Sequence, residues 1–564
     1  MVNRGRSGGC ITCKERRVKC DEARPKCQAC QRLQLHCGGY KTKYANLKFK
    51  DQNHKFGTQS VVVRGATQQN RAYNLRPLSE TDTAVPFFLH HYARIGRDIS
   101  SARGFFEVLI PIYCSQRQDS ALSLAVSAVA SQVLSIWRHD NSPLPQEAYA
   151  QAVKCLRRTI QDRREWGNAA TMLAVVSLQL FESIVAIYGL RPSTQIHHNG
   201  ALSFLPFANA GDNNEGASAY VRRFILHTEI CSAIHQGRQL QTIASSWIGG
   251  NGLFTVSGNP SAALDAIGVS VARLQARHLK LGLQSGRVTL SPEALSECIA
   301  ETRRVDQQLL TWAQCMPDHW QPLKLTNGWN IDSSIPVYQS TCEIYPSCQI
   351  AAIWNLWRIQ RILIVKIKLS LLDATLNTWQ SDFECDGMSS NLQELAELQH
   401  ILQELVDGVC YSVPFYLGNR SKPLSIADFA DPTILLPSSH FPGRNGNWNK
   451  QIYHHDPRVA VDEHRRHIIA QGPWHIMSPL SRLLTFCFEE CGPPMRTFFR
   501  PGQYEWIRDQ FLRVTTLLHI PPVEASTHYG RGSLSKILDP RSSDTMAENL
   551  ATGVRKGAIF MSGP

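Results

Sequence analysis

The chain has 564 residues, more than one hydrophobic core usually supports, so more than one domain is expected. Its net charge of +13 is uneven: residues 1–50 hold 13 Lys and Arg against three acids, a balance of +10 that leaves only +3 for the rest. Positive charge confined to one segment indicates a polyanionic partner, whereas a uniformly basic surface would say little. A solvated basic tail is the alternative.

Neither an export signal nor a membrane span is predicted. MVNRGRSGGC has a charged start, but no apolar segment follows it. The best candidates for a span are residues 120–137, which hold several serines, and residues 362–372, which two lysines interrupt. Both fall short of the ~20 predominantly apolar residues of a membrane span and are expected to be core helices. We therefore expect an intracellular chain without a membrane partner, whose thiols stay reduced.

Six cysteines dominate the basic segment. The spacing C-x2-C-x6-C occurs twice, with six residues between the two copies, at Cys10, Cys13, Cys20, Cys27, Cys30 and Cys37. In a reducing compartment such spacing indicates metal, and thiolates favour zinc. Six sulfurs fill the eight ligand positions of two tetrahedral zinc ions if two of them bridge. With so few apolar residues in the segment, zinc would supply its folding free energy, on the order of 10–16 kcal/mol.

This pattern, with basic residues between the ligands, resembles the fungal Zn₂Cys₆ binuclear-cluster DNA-binding domain over residues 10–37. The resemblance implies a small metal-stabilised fold with two short helices and two Zn²⁺ ions. It also implies two ligand sets, one of Cys10, Cys13, Cys20 and Cys27, the other of Cys10, Cys27, Cys30 and Cys37. Cys10 and Cys27 would bridge, and Pro25 would turn the chain between the halves.

The resemblance also implies which residues meet double-stranded DNA. The segment KERRVK after Cys13 matches a short helix whose end is aimed into the major groove, and Arg17 matches the position that most often reads a guanine. A bidentate contact of this kind contributes about 1–3 kcal/mol of discrimination. The residues predicted to contact DNA are Lys14, Arg16, Arg17, Lys19, Arg32, Lys41 and Lys43. The alternative is that these cations only balance the charge of the cluster.

Residues 38–82 form a predicted basic linker, in which Lys41 and Lys43 are candidates for phosphate contacts. No heptad pattern runs through it, so symmetric half-sites cannot be assumed. Because a GC-rich triplet recurs throughout any genome, selectivity would need a second half-site, from a homodimer or a partner regulator. An ordinary solvated linker is the alternative for the basic residues.

Helical periodicity begins near residue 83 and predicts a large all-α domain over 83–525, followed by a weakly ordered tail over 526–564. The segments with the clearest helical pattern are 122–136, 149–160, 172–188, 351–372, 392–406 and 505–520. Strand-like segments such as QSVVV and GRVTL are few. FFLHHYARIG (87–96) and GPWHIMSPLSRLL (472–484) look like pieces of the fungal-specific transcription factor domain, and this resemblance implies a regulatory region without catalytic residues.

No enzyme constellation is visible in this region. G-x-S-x-G, H-E-x-x-H and G-x4-G-K-[ST] are all absent from residues 83–525. His464 and His467 in DEHRRH favour a solvated charged face over a metal site. The leucine stripe from Leu395 to Leu405 favours core packing over a dimer seam.

Together these patterns predict a nuclear transcription regulator of the RNA polymerase II type that reads GC-rich triplets through a zinc cluster and is not an enzyme. One alternative is a regulator whose cluster binds DNA without specificity or docks a protein. The other is an enzyme with a fused DNA-binding head.

Overall fold

The computed structural model describes residues 9–23, 26–40, 80–93, 104–140, 142–207, 215–251, 259–280, 292–326, 331–378, 385–437, 457–488, 494–521 and 540–560. Pro25, Lys41 and Lys43 lie outside these ranges, as do QSVVV and GRVTL. The chain divides into two compact units, Met1–Leu75 and Arg76–Pro564.

The first unit contains two five-residue helices, α1 (Ile11–Glu15) and α2 (Gln28–Arg32). Its only sizeable apolar cluster within the described residues consists of the cysteines themselves. A unit without aliphatic core residues depends on its metal for stability.

The second unit is mostly helical. Its helices are α3 (Glu80–Phe88), α4 (Phe106–Cys114), α5 (Ala121–Arg138), α6 (Leu144–Thr159), α7 (Ala169–Tyr188), α8 (Ile196–Phe204), α9 (Glu215–Gln236), α10 (Thr242–Asn251), α11 (Pro260–Lys280), α12 (Pro292–Gln314), α13 (Cys348–Thr378), α14 (Cys385–Leu417), α15 (Pro457–Phe486), α16 (Gln503–Leu517) and α17 (Pro540–Gly557). A π-helical turn, Leu89–Ala93, continues α3. The all-α expectation missed a small antiparallel sheet of β1 (Leu323–Leu325) and β2 (Cys342–Ile344), in which Leu323 lies opposite Ile344.

Capping residues mark the ends of the long helices α5 and α7. Ser120 caps α5, its hydroxyl accepting a hydrogen bond from the N–H of Ser123 at 3.2 Å. The amide oxygen of Asn168 caps α7 by accepting from the N–H of Ala170 at 2.9 Å. Helix α7 ends at Tyr188, with Gly189 as its C-cap. Gly189 itself stays in the right-handed region, and the left-handed turn falls on Leu190, with φ at 47°.

Packing among these helices produces one contiguous core. Helices α5, α6 and α7 pack on one another, and α13 contacts α11, α12, α14 and α15. Length and hydropathy alone would allow α5 and α7 to cross a membrane, but 61% and 83% of their apolar windows are buried within the protein, as in core helices.

Helix α17 corrects the predicted tail. The sequence predicts a weakly ordered tail over 526–564, whereas residues 540–557 form a helix that packs against α7 and α15. Leu550, Ala551 and Val554 are buried in that contact. The apolar stripe of α17 is narrow and its other positions are polar, so the sequence gives little sign of a helix. Tertiary packing stabilises it instead.

Two side-chain predictions in this unit have different outcomes. The solvated face expected at DEHRRH is wrong for its histidines: His467 is buried and its Nε2 lies 2.9 Å from the Gln471 side-chain oxygen. Burial lowers the pKa of His464 to about 4. The leucine stripe does belong to the core, since Leu398 and Leu405 are buried there.

Candidate metal centre

The duplicated cysteine spacing produces duplicated local structure. Cys10 is the N-cap of α1, and its sulfur accepts a hydrogen bond from the N–H of Cys13 at 3.3 Å. Seventeen positions later, Cys27 caps α2 and accepts from the N–H of Cys30 at 3.4 Å. A sulfur acceptor at the N-cap satisfies one of the free N–H groups of each short helix. The first cysteine of each copy therefore has two roles, helix cap and metal ligand.

The two helices also end in the same way. Arg17, with φ at 55°, and Gln34, with φ at 51°, follow α1 and α2 in the left-handed region. In each copy the N–H of the next residue bonds to a cysteine carbonyl at 3.0 Å, that of Cys13 or Cys30. This is the Schellman pattern of helix termination, which usually places glycine at the left-handed position. The two copies thus share one backbone conformation.

The six sulfurs lie at separations that suit two zinc ions. Sγ of Cys10 lies 3.6 Å from Sγ of Cys27 and 3.8 Å from that of Cys30, and Cys13 lies 3.7 Å from Cys27. Four thiolates around one tetrahedral zinc, with Zn–S near 2.3 Å, stand about 3.8 Å apart. Within the described residues, two groups of potential ligands come together, Cys10, Cys13, Cys20 and Cys27, and Cys10, Cys27, Cys30 and Cys37. Cys10 and Cys27 belong to both groups, as a bridged pair of ions requires.

Ionisation differs among these thiols. The backbone N–H of Cys10, at 3.5 Å, and that of Glu22, at 3.4 Å, point at the sulfur of Cys20 and lower its pKa to about 7. Backbone N–H groups of Cys27 and Gly39 do the same for Cys37, whose pKa is also about 7. Burial raises the pKa of Cys13 to about 12. Zinc must therefore displace a proton from the buried thiol, while the outer two ionise readily.

Hydrogen bonds that the sequence analysis missed join the two halves. The hydroxyl of Thr12 donates to the carbonyl oxygen of His36 at 2.9 Å and accepts from the N–H of Gly38 at 2.9 Å. The N–H of Ile11 donates to the carbonyl oxygen of Gly39, also at 2.9 Å. These bonds link positions 24 or more residues apart, so no local signal in the sequence identifies Thr12.

Asp21 was missed as well. Its carboxylate accepts hydrogen bonds from the N–H groups of Gln28, at 3.0 Å, and Ala29, at 3.2 Å. These bonds lower the pKa of Asp21, Gln28 having the largest effect. A carboxylate at a helix N-terminus is favoured by the free N–H groups and the helix dipole. Asp21 thereby holds the start of α2 against the end of the first half.

The predicted DNA-contacting side chains in the described part of this unit are all exposed: Lys14, Arg16, Arg17, Lys19 and Arg32. The equivalents of the first four in the second copy, 17 positions later, are Gln31, Leu33, Gln34 and His36. The two copies therefore differ in charge although they share a backbone. None of the six cysteines is in a disulfide.

Comparisons with known proteins give one result. No curated protein and no solved structure matches the chain. The model of the fungal Zn(2)-Cys(6) binuclear cluster domain matches residues 8–46 and does not extend into the helical unit. Domains of this family belong to DNA-binding transcription regulators and not to enzymes. Residues 8–46 are thus a fungal Zn(2)-Cys(6) binuclear cluster domain, whose six cysteines bind two zinc ions.

Proposed function

We propose that this protein is a nuclear, sequence-specific transcription regulator of the RNA polymerase II type, whose zinc cluster reads a GC-rich triplet. The observation that carries the proposal is the asymmetry between two copies of one backbone. The first copy has exposed cations at Lys14, Arg16, Arg17 and Lys19, where the second has Gln, Leu, Gln and His. Charge compensation of a nearly symmetric cluster gives no reason to place four cations after the first helix and only Arg32 in the equivalent part of the second copy. A DNA groove that the first copy faces does give a reason.

Within this proposal Arg17 reads the base edge. Its left-handed backbone follows directly after α1, and its side chain is exposed. A guanidinium there bonds O6 and N7 of a guanine bidentately. Arg16, Lys19 and Lys14 contact phosphates, which fix register without carrying sequence information. Arg32 is the one cation on α2 and contacts the DNA backbone from the second half.

The affinity expected of one cluster limits what it does alone. At about 1–3 kcal/mol per base pair, a triplet provides about 3–9 kcal/mol against mismatched DNA. We therefore expect a second half-site, read by another copy or by a partner regulator, at natural targets.

The test is selection of duplexes from a randomised pool by the zinc-loaded full chain. We expect enrichment of a GC-rich triplet, lost in Arg17→Ala and kept in Gln34→Ala, which removes the side chain at the equivalent position of the second copy. Arg17→Ala should weaken binding to the enriched triplet by about 10-fold or more while changing binding to random DNA far less.

Two results would contradict the proposal. A pool without an enriched triplet would indicate DNA binding without specificity or protein docking. Equal effects of Arg17→Ala and Gln34→Ala would show that the asymmetry of the two copies is irrelevant to recognition.

A further inference from the structure

Three side chains of the helical unit form a series of contacts that the proposed DNA binding does not use. His227 and Cys231 lie four residues apart on α9, a spacing that places them on one face of the helix. The sulfur of Cys231 lies 3.7 Å from Nε2 of His227. Nδ1 of the same ring lies 2.6 Å from Oδ1 of Asp265 on α11. Thiol, imidazole and carboxylate therefore follow one another in the order that activates a nucleophile.

The two partners of the thiol are held in place by burial. The side chains of His227 and Asp265 are only 1% and 2% exposed. Burial disfavours charge on His227, but Asp265 and Cys231 outweigh it and raise its pKa to about 9. A cationic imidazole beside a cysteine favours the thiolate, which is the form that reacts. The proton that a reacting thiol gives up therefore has a place on Nε2 of the ring.

A cavity of about 120 Å³ adjoins this thiol, among α9, α13, α15 and α17. Cys231 lines the cavity and is half-buried, so solvent reaches this residue. A cavity needs only ~10–15 Å³ to hold a water molecule, so hydrogen peroxide, with its two oxygen atoms, fits easily. A disulfide-linked tripeptide is far too large. Among the described residues that line the cavity, Cys231 is the only cysteine, so no second thiol stands there to form a disulfide with it.

We infer that Cys231 is a modification site, which hydrogen peroxide oxidises to a sulfenic acid with His227 as the proton donor. The thiolate sulfur attacks one oxygen of the peroxide, so that an S–O bond forms and the O–O bond breaks. The electron pair of the broken bond goes to the other oxygen, which takes the proton from Nε2 of His227 and leaves as water. Sulfur loses two electrons and the peroxide gains them. Asp265 stays ionised throughout and orients the ring through Nδ1. The inference concerns the helical unit and goes beyond the proposed DNA binding.

The test treats the full zinc-loaded chain with hydrogen peroxide at about pH 7 and follows each cysteine by mass spectrometry. Catalase removes the peroxide after set times. The chain is then unfolded in dimedone, which labels sulfenic acids, so the size of the label does not limit its access.

Two other cysteines of the same chain are internal references. Cys155 is half-buried like Cys231, but its thiol donates to the carbonyl oxygen of Asp119 at 3.5 Å, and Cys315 is exposed. An unassisted thiol is only a few per cent thiolate at neutral pH, so we expect Cys231 to be oxidised about 10-fold faster than either reference.

Variants then assign the roles of the two partners. Asp265→Asn should slow oxidation of Cys231 about 5-fold or more, because the ring loses the carboxylate that holds its proton. His227→Gln should slow it at least as much, and if that variant fails to fold, Asp265→Asn decides. His198→Gln is the matched control. It removes another buried histidine paired with a carboxylate of α9, with Nε2 2.6 Å from Oε2 of Glu229, but His198 does not line the cavity, so the rate should stay unchanged.

The inference is overturned if Cys231 is oxidised no faster than Cys155 and Cys315, a result that the unmodified chain alone provides. It is equally overturned if Asp265→Asn leaves the rate unchanged, or if His198→Gln lowers the rate as much as Asp265→Asn does. Oxidised glutathione serves as the bulky oxidant. If it modified Cys231 as fast as hydrogen peroxide does at equal concentration, the assignment of the cavity to a peroxide would be wrong.

Discussion

At the scale of single residues, Arg17 and Gln34 hold the same left-handed backbone in the two copies of the cluster. A non-glycine residue in this region costs about 1–2 kcal/mol, so both positions store similar strain. Glycine relieves this backbone strain, so Arg17→Gly and Gln34→Gly should each slow the loss of zinc to a chelator. Only Arg17→Gly should lose affinity for duplex DNA, as measured by fluorescence anisotropy. Equal loss in both variants would show that the backbone conformation, and not the side chain, is what DNA requires.

The buried pair of His227 and Asp265 makes a second residue-scale prediction. The pKa of His227 is about 9 in the folded protein, above the ~6.5 of an unfolded histidine. A raised pKa gives stability that is fully present below pH 6.5 and lost as pH rises through 9, here about 3 kcal/mol. The thermal unfolding midpoint should therefore decrease as the pH rises from 6.5 to 9.5. Asp265→Asn should make the midpoint depend less on pH. His400→Gln, which removes an exposed histidine near Glu404, should leave it unchanged.

At the scale of elements, glycine permits the closest approach of α17 to α7. A Cβ on Gly557 would stand 2.6 Å from the backbone nitrogen of Ile187, closer than packed atoms can lie. Gly557→Ala should therefore push the two helices apart and cost about 1–3 kcal/mol of stability. Gly216 in α9 has no atom within 4 Å of that position, so Gly216→Ala should stabilise slightly, by about 0.5–1 kcal/mol. Thermal unfolding compares the two, and an unchanged Gly557→Ala midpoint would contradict the packing argument.

The elements also show how far sequence reasoning reaches. Helices α5 and α7 were predictable because their apolar residues repeat with the helical period. The cysteine grouping was predictable because ligand type and spacing constrain metal binding chemically. The roles of Thr12 and Asp21 were not predictable, because their hydrogen-bond partners depend on how the two halves of the cluster pack together. The burial of Arg482 and Arg555 was not predictable either, because in the sequence both look like ordinary surface cations, and only the fold buries them.

At the scale of the whole molecule, the chain consists of two compact units stabilised by different means. The first depends on thiolate–zinc bonds, and the second on a contiguous apolar core. Zinc removal by a chelator should therefore abolish duplex binding while leaving the thermal midpoint and helical circular dichroism of the second unit nearly unchanged. Re-addition of about two equivalents of zinc should restore binding. A large loss of helical circular dichroism on chelation would contradict the claim that the two units are stabilised independently of each other.

The packing of α17 on α7 has a consequence for synthesis on the ribosome. Helix α7 is nearly all apolar, and the helix that covers part of it is translated about 350 residues later, which at ~5–20 residues per second is a delay of tens of seconds. During that time the nascent chain exposes an apolar surface that invites chaperone binding. A premature stop codon between the two helices would make this exposure permanent, so such truncated products should be degraded or aggregate even though the zinc-cluster domain is intact.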